Sequence, residues 1–268
     1  MSPADLSHVA VVTGGARGIG RGIAEAALRS GYTVAIGDRD GAALDQLAAE
    51  HAGDALHVRE VDVTDEAAVD RWATEFEDTF GAAHALVNNA GIIRFGGIRS
   101  LPVADWRAVI EVNLTAAFIV TQRFGRAMTD AGRGSIVSIA SVGSLAASAD
   151  GGAYSPAKAG IAMLMQQTAL EWAQFGVRAN TVSPGMIKGG LSAGFYENPE
   201  IERSRTALVP LGRLGTEQDI ANAVLFLWSD AASYISGINL AVDGAFTKTA
   251  VSRAIETLSA NAAISADR

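Results

Sequence analysis

The sequence predicts an α/β fold, a single-domain doubly wound parallel sheet with helices on both faces, on three observations. Short apolar runs alternate with stretches of helical periodicity along most of the chain. The first run, Val9–Thr13, ends in a glycine-rich turn that opens a helix, Thr13-Gly14-Gly15-Ala16-Arg17-Gly18-Ile19-Gly20. The length, 268 residues with 49% hydrophobic, suits one large core and does not force two domains.

Strand, glycine turn and helix in that order make a phosphate-binding context. Glycines let the backbone approach a pyrophosphate, and the helix N-terminus offers free N–H groups and the positive end of a dipole. The spacing here is GxxxGxG. It is not a Walker loop, because Gly20 is followed by Arg21 and Gly22. The following helix carries Ile23, Ala27 and Leu28 on one face and closes at Gly31.

Residues 33–37 read as the second strand, ending at Asp38. A carboxylate there accepts hydrogen bonds from an adenosine ribose and repels a 2′-phosphate, which favours NAD over NADP. Arg17 and Arg39 argue the other way, since either guanidinium pairs well with a phosphate. A helix cap or turn residue is the competing reading of Asp38. A helix over 42–51 and a strand over 55–61 follow. Asp62 and Val63 stand at the end of that strand, and Asp65 is placed to cap a helix bearing Val69, Trp72 and Phe76. Residues 84–87 form a fourth strand, with Asn88-Asn89-Ala90-Gly91 at its carboxyl end, where open α/β sheets bind ligands.

One long helix is expected over about 103–131, with Val109, Val112, Ala116, Ile119 and Val120 on its apolar face and Asn113 beside it. A fifth strand, 135–140, delivers Ser141. A helix then runs from Tyr154 to Phe175, with Pro156 in its first turn. A sixth strand, 177–182, leads to Ser183-Pro184-Gly185. Residues 188–208, rich in glycine with Phe195 and Tyr196, read as a flexible lid. Glu217–Trp228 is another helix and 238–242 a last strand. Residues 247–268 form a polar, alanine-rich tail, helical over 250–258.

Tyr154 and Lys158 lie four apart and so share one helix face. A free phenol has a pKa of about 10 and is a poor base near neutrality. An ammonium at about 4 Å is worth roughly 4 kcal/mol at an effective dielectric near 20, enough to lower the phenol by up to about three units. The pairing thus predicts a tyrosine that exchanges protons in catalysis. A packed tyrosine beside a solvated lysine is the competing reading, and the pair alone does not decide.

Composition narrows the classes. The formal net charge is −8 and the pI about 5.0, so the basic footprint of a nucleic-acid partner is missing. With no cysteine, disulfides, thiolate zinc sites and thiol catalysis are excluded, which fits a cytoplasmic protein. The first eight residues lack a positive n-region and an apolar core, and no run of about 18 apolar residues occurs, so neither signal peptide nor membrane span is expected. His8, His51, His57 and His84 stand alone in sequence, and no metal is expected.

Taken together, Thr13 with Gly14, Gly18 and Gly20, then Asp62, Asn88-Asn89-Ala90-Gly91, Asn113, Ser141, Tyr154 with Lys158, Pro184-Gly185 and Val242-Asp243-Gly244 resemble the short-chain dehydrogenase/reductase family over about residues 8–246. The resemblance implies a Rossmann sheet of strand order 3-2-1-4-5-6-7 and a homotetramer packed through its long helices. It implies NAD-dependent interconversion of a secondary alcohol and a ketone, the substrate being a small molecule. Tyr154 would move the proton, and Lys158 would hold Tyr154 acidic and bind the nicotinamide ribose. Ser141 would polarise the substrate oxygen, and Asn113 would anchor a water linking Lys158 to solvent. Gly14, Arg17, Gly18, Ile19, Gly20, Asp38, Arg39, Asp62, Val63, Asn89, Ala90, Gly91, Pro184, Gly185 and Ile187 would join Tyr154 and Lys158 around the cofactor. Ser141, Tyr154, Leu145, Met186 and Phe195 would meet the substrate, with Ile93, Arg94, Phe95, Ser144, Ala147 and Tyr196 as further pocket candidates.

Two departures from the family pattern stand out. Members often carry a threonine near the carboxamide five residues after the proline; here the position is Gly189, so backbone groups, Ile187 or Ser192 would have to serve. The terminal double glycine is Gly244-Ala245, and the tail beyond Phe246 is long, with Ile255 and Leu258 placed to close over a neighbouring site or subunit. An NADPH-dependent 3-oxoacyl-thioester reductase and a non-catalytic nucleotide sensor are the alternative functions.

Overall fold

In the computed structural model, which describes residues 8–249, seven parallel strands form one sheet of order β3-β2-β1-β4-β5-β6-β7. They are β1 (Val9–Thr13), β2 (Thr33–Asp38), β3 (Leu56–Glu60), β4 (Ala85–Asn88), β5 (Gly134–Ile139), β6 (Val177–Pro184) and β7 (Asn239–Val242). Among the described residues the eight α-helices are α1 (Gly18–Arg29), α2 (Gly41–Glu50), α3 (Glu66–Phe80), α4 (Val103–Ile110), α5 (Ala116–Asp130), α6 (Tyr154–Trp172), α7 (Pro199–Thr206) and α8 (Glu217–Trp228). The order expected from the family resemblance is the order found.

Helices cover both faces. Along β1, Ala10 and Val12 pack with α1, α2 and α8 through Ile23, Leu44, Val224 and Leu227. Val9 and Val11 point the other way, into a core built with α3, α5 and α6 through Trp72, Phe76, Phe124 and Met165. A strand that is apolar on both faces belongs in the middle of such a sheet, and all five residues of β1 are buried. Strand order reverses between β1 and β4. Their carboxyl ends therefore diverge and open a crevice, where the glycine turn and Asn89 meet.

Local signals explain most boundaries. Asp40 and Asp65 cap α2 and α3 by accepting from the N–H groups of Ala43 and Ala68. Thr216 and Asp219 form a reciprocal capping box on α8. The expected single helix over 103–131 is instead α4 and α5 joined by a π-helical turn, Glu111–Thr115. The cause is tertiary. Asn113, fully buried, accepts from Ile92 N–H at 2.9 Å and donates to the Ile92 carbonyl at 2.8 Å, which fixes this turn against the loop after β4. The segment read as a lid is a 3-10 helix, Gly190–Glu197, followed by α7. The helical tail expected over 250–258, with its contact to a neighbouring site, lies outside the described residues.

Phe124 holds the second core together. Its ring meets Trp72 edge-on at 4.9 Å and Phe76 at 5.7 Å, and its side chain is fully buried. Phe124→Ala should cost about 3–5 kcal/mol of unfolding free energy, read as a lower urea midpoint with an unchanged slope.

Candidate active site

The cleft at the switch point has a volume of about 610 Å³. Its floor is the turn after β1. The Thr13 hydroxyl accepts from Asn89 N–H at 3.0 Å, and the Asn89 amide donates to the carbonyls of Thr13 and Gly14 at 3.1 and 2.8 Å. These bonds tie the turn to the end of β4. A Cβ on Gly20 would stand 2.2 Å from the Gly14 carbonyl oxygen, so only glycine lets α1 begin this close beneath the turn. Arg17, the N-cap of α1, provides no side-chain cap. The first N–H groups of α1 therefore remain for a bound anion.

The adenosine end is built around Asp38. Its two carboxylate oxygens accept from Ala16 N–H at 3.0 Å and Asp40 N–H at 3.1 Å, which joins the end of β2 to the glycine turn. Arg17 is paired with Asp40 at 2.7 Å. Asp62 accepts from both the N–H and the hydroxyl of Thr64; these bonds and the charge of Arg39 hold its carboxyl below the usual range. A glycine cradle, an uncapped helix start and a carboxylate at the end of the second strand fit a dinucleotide.

Ser141, Tyr154 and Lys158 all line the far half of the same cleft. Ser141 leaves the end of β5, where its hydroxyl oxygen accepts from Gly143 N–H at 3.1 Å. That contact occupies a lone pair, so the one Ser141 hydrogen is left to donate, to Tyr154 before substrate binds. Lys158 is only 4% exposed, and its ammonium donates to the Ile139 carbonyl at 2.8 Å. Gly91 is the contact that brings the other groups close. A Cβ there would lie 2.5 Å from Asn113 Oδ1 and 3.6 Å from Lys158 Nζ.

The electrostatics depart from expectation. Burial pushes the Tyr154 phenol up, and a hydrogen bond with Ser141 opposes that. Lysine 158, which the spacing places as the group lowering Tyr154, is itself pushed down from 10.5 to about 8 by burial. Its ammonium is 5.6 Å from the Tyr154 ring centroid and is directed at a backbone carbonyl. Desolvation therefore outweighs the attraction derived for a 4 Å pair. Asn113, expected to anchor a water, spends both side-chain groups on the Ile92 backbone.

Of the expected cofactor residues, Gly14, Arg17, Ile19, Asp38, Arg39, Asp62, Val63, Asn89, Ala90, Gly91, Pro184, Gly185 and Ile187 line the cleft. Gly18 and Gly20 shape it from behind. A Cβ on Gly18 would sit 2.5 Å from the Gly190 Cα. Leu145, 45% exposed, is absent from the wall, and Met186 faces a separate small hollow beside Val209 and Val242. The side chains of Phe195 and Ser192 lie outside those described. Tyr196 is buried within the 3-10 helix Gly190–Glu197, with Arg205 over its ring, and Arg94 is paired with Asp105 at 2.7 Å. Ile92, Val112, Ile139 and Ala140 belong to the wall and were not foreseen. Each adjoins a recognised motif, so adjacency was the available signal. Among the described residues no three His, Cys, Asp or Glu side chains gather as a metal site requires.

Position 189 also has a structural reason. Gly189 has φ +147°, and a Cβ there would lie 2.3 Å from Glu217 Oε1. The Glu217 carboxylate receives the Gly190 N–H, and burial pushes its pKa up. A threonine at 189 would meet a backbone that favours glycine and would displace the Glu217 carboxylate.

A family model described as enoyl-(acyl carrier protein) reductase matches residues 14–247. The chain is 41% identical to cis-4-hydroxycyclohexanecarboxylate dehydrogenase of Sinomonas cyclohexanicum, covering 92% of this chain and 99% of the relative. It is 38% identical to 2-(S)-hydroxypropyl-CoM dehydrogenase 3 of Xanthobacter autotrophicus, covering 90% and 97%. A gluconate 5-dehydrogenase from Burkholderia cenocepacia, solved with NADP and tartrate, superposes with TM-score 0.85 at 32% identity, covering 90% and 95%. An oxidoreductase of the short-chain dehydrogenase/reductase family from Burkholderia thailandensis superposes with TM-score 0.86 at 34% identity, covering 94% and 97%. With the glycine turn, the Ser141–Tyr154–Lys158 wall and these likenesses in agreement, the chain belongs to the short-chain dehydrogenase/reductase family.

Proposed function

We propose that this oxidoreductase binds NAD in the cleft and interconverts a secondary alcohol and a ketone, with Tyr154 as acid and base. The observation that carries the reading is the convergence of the Ser141 and Tyr154 side chains on one wall of a cleft whose other end is the glycine turn and Asp38. The bound nicotinamide supplies or takes the hydride. In oxidation, the Tyr154 phenolate accepts the alcohol proton; in reduction, the Tyr154 hydroxyl gives it back. The Ser141 hydroxyl donates to the same substrate oxygen, where negative charge develops. Lys158 brings a buried positive charge to that wall at pH values below about 8. Asn113 acts through its grip on Ile92, which sets the cleft wall opposite Lys158.

NAD is favoured because a carboxylate at the end of β2 would repel a 2′-phosphate, while Arg17 is engaged by Asp40. Arg39, exposed on the wall, favours the second reading, NADPH-dependent reduction of a 3-oxoacyl thioester. The apolar Ile92, Ile93 and Val112 favour a cyclic or hydrophobic alcohol, a reading supported by the relative named for hydroxycyclohexanecarboxylate. Exposed Phe118 on α5 with Met163 and Leu170 on α6 supports a homotetramer built through these helices. The cysteine-free composition supports a cytoplasmic setting. No helix among the described residues is long and apolar enough to cross a membrane.

Tyr154→Phe should lower kcat by about 10²–10⁴-fold while NAD binding, followed by fluorescence titration, is retained. Unchanged turnover would remove Tyr154 from the chemistry. The ratio of kcat/KM for NAD over NADP should be at least about tenfold, because juxtaposed like charges cost several kcal/mol; a preference for NADP would support the thioester reductase instead.

Lysine 158 generates a separate expectation. A buried ammonium with a lowered pKa penalises the folded state in full below about pH 8, and the penalty fades as the pH rises from about 8 to 10.5. The penalty is on the order of 3 kcal/mol at neutral pH. Losing the bond to the Ile139 carbonyl offsets about 1 kcal/mol. Lys158→Met should therefore melt higher than the parent at pH 7, with a smaller gain at pH 10, while turnover falls. A lower melting temperature at pH 7 would contradict the assignment of a charged, penalised lysine.

A further inference from the structure

The 3-10 turn that carries Ser141, Val142–Ser144, is fastened from outside the cleft by a closed ring of three side chains. Ser183 Oγ donates to Asn239 Oδ1 at 2.6 Å, Asn239 Nδ2 donates to Ser144 Oγ at 3.0 Å, and Ser144 and Ser183 hydroxyls meet at 3.0 Å. The donor in the last contact follows from counting hydrogens. Ser183 has one, and Asn239 Oδ1 takes it, so Ser144 donates to Ser183. All three bonds then run the same way round the ring, an arrangement in which each polarises the next. The ring joins three neighbouring strands: Ser144 follows β5, Ser183 lies near the end of β6 and is fully buried, and Asn239 opens β7.

Two consequences bear on the cleft. First, the Ser144 hydrogen is directed at Ser183 and its oxygen accepts from Asn239, so Ser144 is not a donor to substrate, and Ser141 is the hydroxyl of this turn left to act. Second, the ring fixes where Ser141 stands. The Ser144 N–H donates to the Ser141 carbonyl at 2.8 Å, and Gly143 N–H donates to the Ser141 hydroxyl. On the other side, Ser183 is followed directly by Pro184 and Gly185, which line the cleft, and Gly185 N–H donates to the Val242 carbonyl of β7 at 3.0 Å. We infer that Asn239, Ser183 and Ser144 are positioning residues for Ser141: the ring holds its hydroxyl in register with Tyr154 and with the Pro184–Gly185 wall. The inference rests on the proposed role of Ser141 as donor to the substrate oxygen.

The test compares Asn239→Leu, Ser144→Ala, Ser144→Thr and Ser141→Ala for kcat, for kcat/KM as a function of pH, for NAD affinity and for melting temperature. Asn239→Leu and Ser144→Ala should each lower kcat by about tenfold, since a slightly misplaced group weakens the transition state far more than cofactor binding. In both variants the midpoint of the kcat/KM profile, which reports the free enzyme, should move to more alkaline pH, toward that of Ser141→Ala, because the Ser141 hydrogen bond favours the Tyr154 phenolate before substrate binds. NAD affinity should not change. Ser144→Thr, which keeps the hydroxyl, should restore most of kcat and the parent profile. A folded Asn239→Leu or Ser144→Ala protein with the parent midpoint, whatever its melting temperature, would overturn the inference provided Ser141→Ala moves it. If Ser141→Ala leaves the midpoint in place, the reading of Ser141 itself fails, and the positioning role falls with it. Should Asn239→Leu not fold, Ser144→Ala, on a partly exposed turn, decides between the same outcomes.

Discussion

A single buried ammonium sets the terms for the whole cleft. Lysine 158 lies under the end of β5 with a backbone carbonyl as its hydrogen-bond acceptor, and burial lowers its pKa. Burying a charge without an opposite charge is unfavourable unless the surrounding structure enforces it. Here that structure is the helix α6, which holds Lys158 and Tyr154 on one face, and Gly91, whose lack of a side chain lets the β4 loop close over the amine. Sheet order supplies the remainder. Because the order reverses between β1 and β4, a cleft opens where the glycine turn, Asn89 and the Lys158 wall face one another.

Most of this architecture was legible in the chain. Apolar runs marked every strand to within a residue or two. The glycine turn, Asp38 and the Tyr154–Lys158 spacing marked the two ends of the cleft. These features are local, and each depends on residues adjacent in sequence or one helical turn apart. Strand order came from resemblance, since periodicity carries no information about which strands become neighbours.

What was not legible depends on contacts between distant segments. Apolar periodicity ran unbroken through 103–131, yet the hydrogen bonds of Asn113 to Ile92 accompany a π-helical turn at that point. The expected depression of the Tyr154 pKa followed correctly from a charge at about 4 Å in a medium of moderate dielectric. It failed because Lys158 points to Ile139, and burial acts on both groups at once. Met186 and Leu145 flank the motifs that define the cleft but do not line it, a matter of tertiary placement that spacing does not encode.

Glycine 189 and Glu217 stand 28 positions apart and occupy one another's space. A side chain introduced at 189 collides with the carboxylate, and removing the carboxylate alone strips the Gly190 N–H of its acceptor. Each single change is therefore penalised on its own, whereas the pair changed together escapes the collision and leaves the cost of a side chain at positive φ. Recombining this chain with a threonine-bearing relative at a crossover between the two positions would separate partners that adjoin one another in space. A chimera boundary belongs before residue 189 or after residue 217.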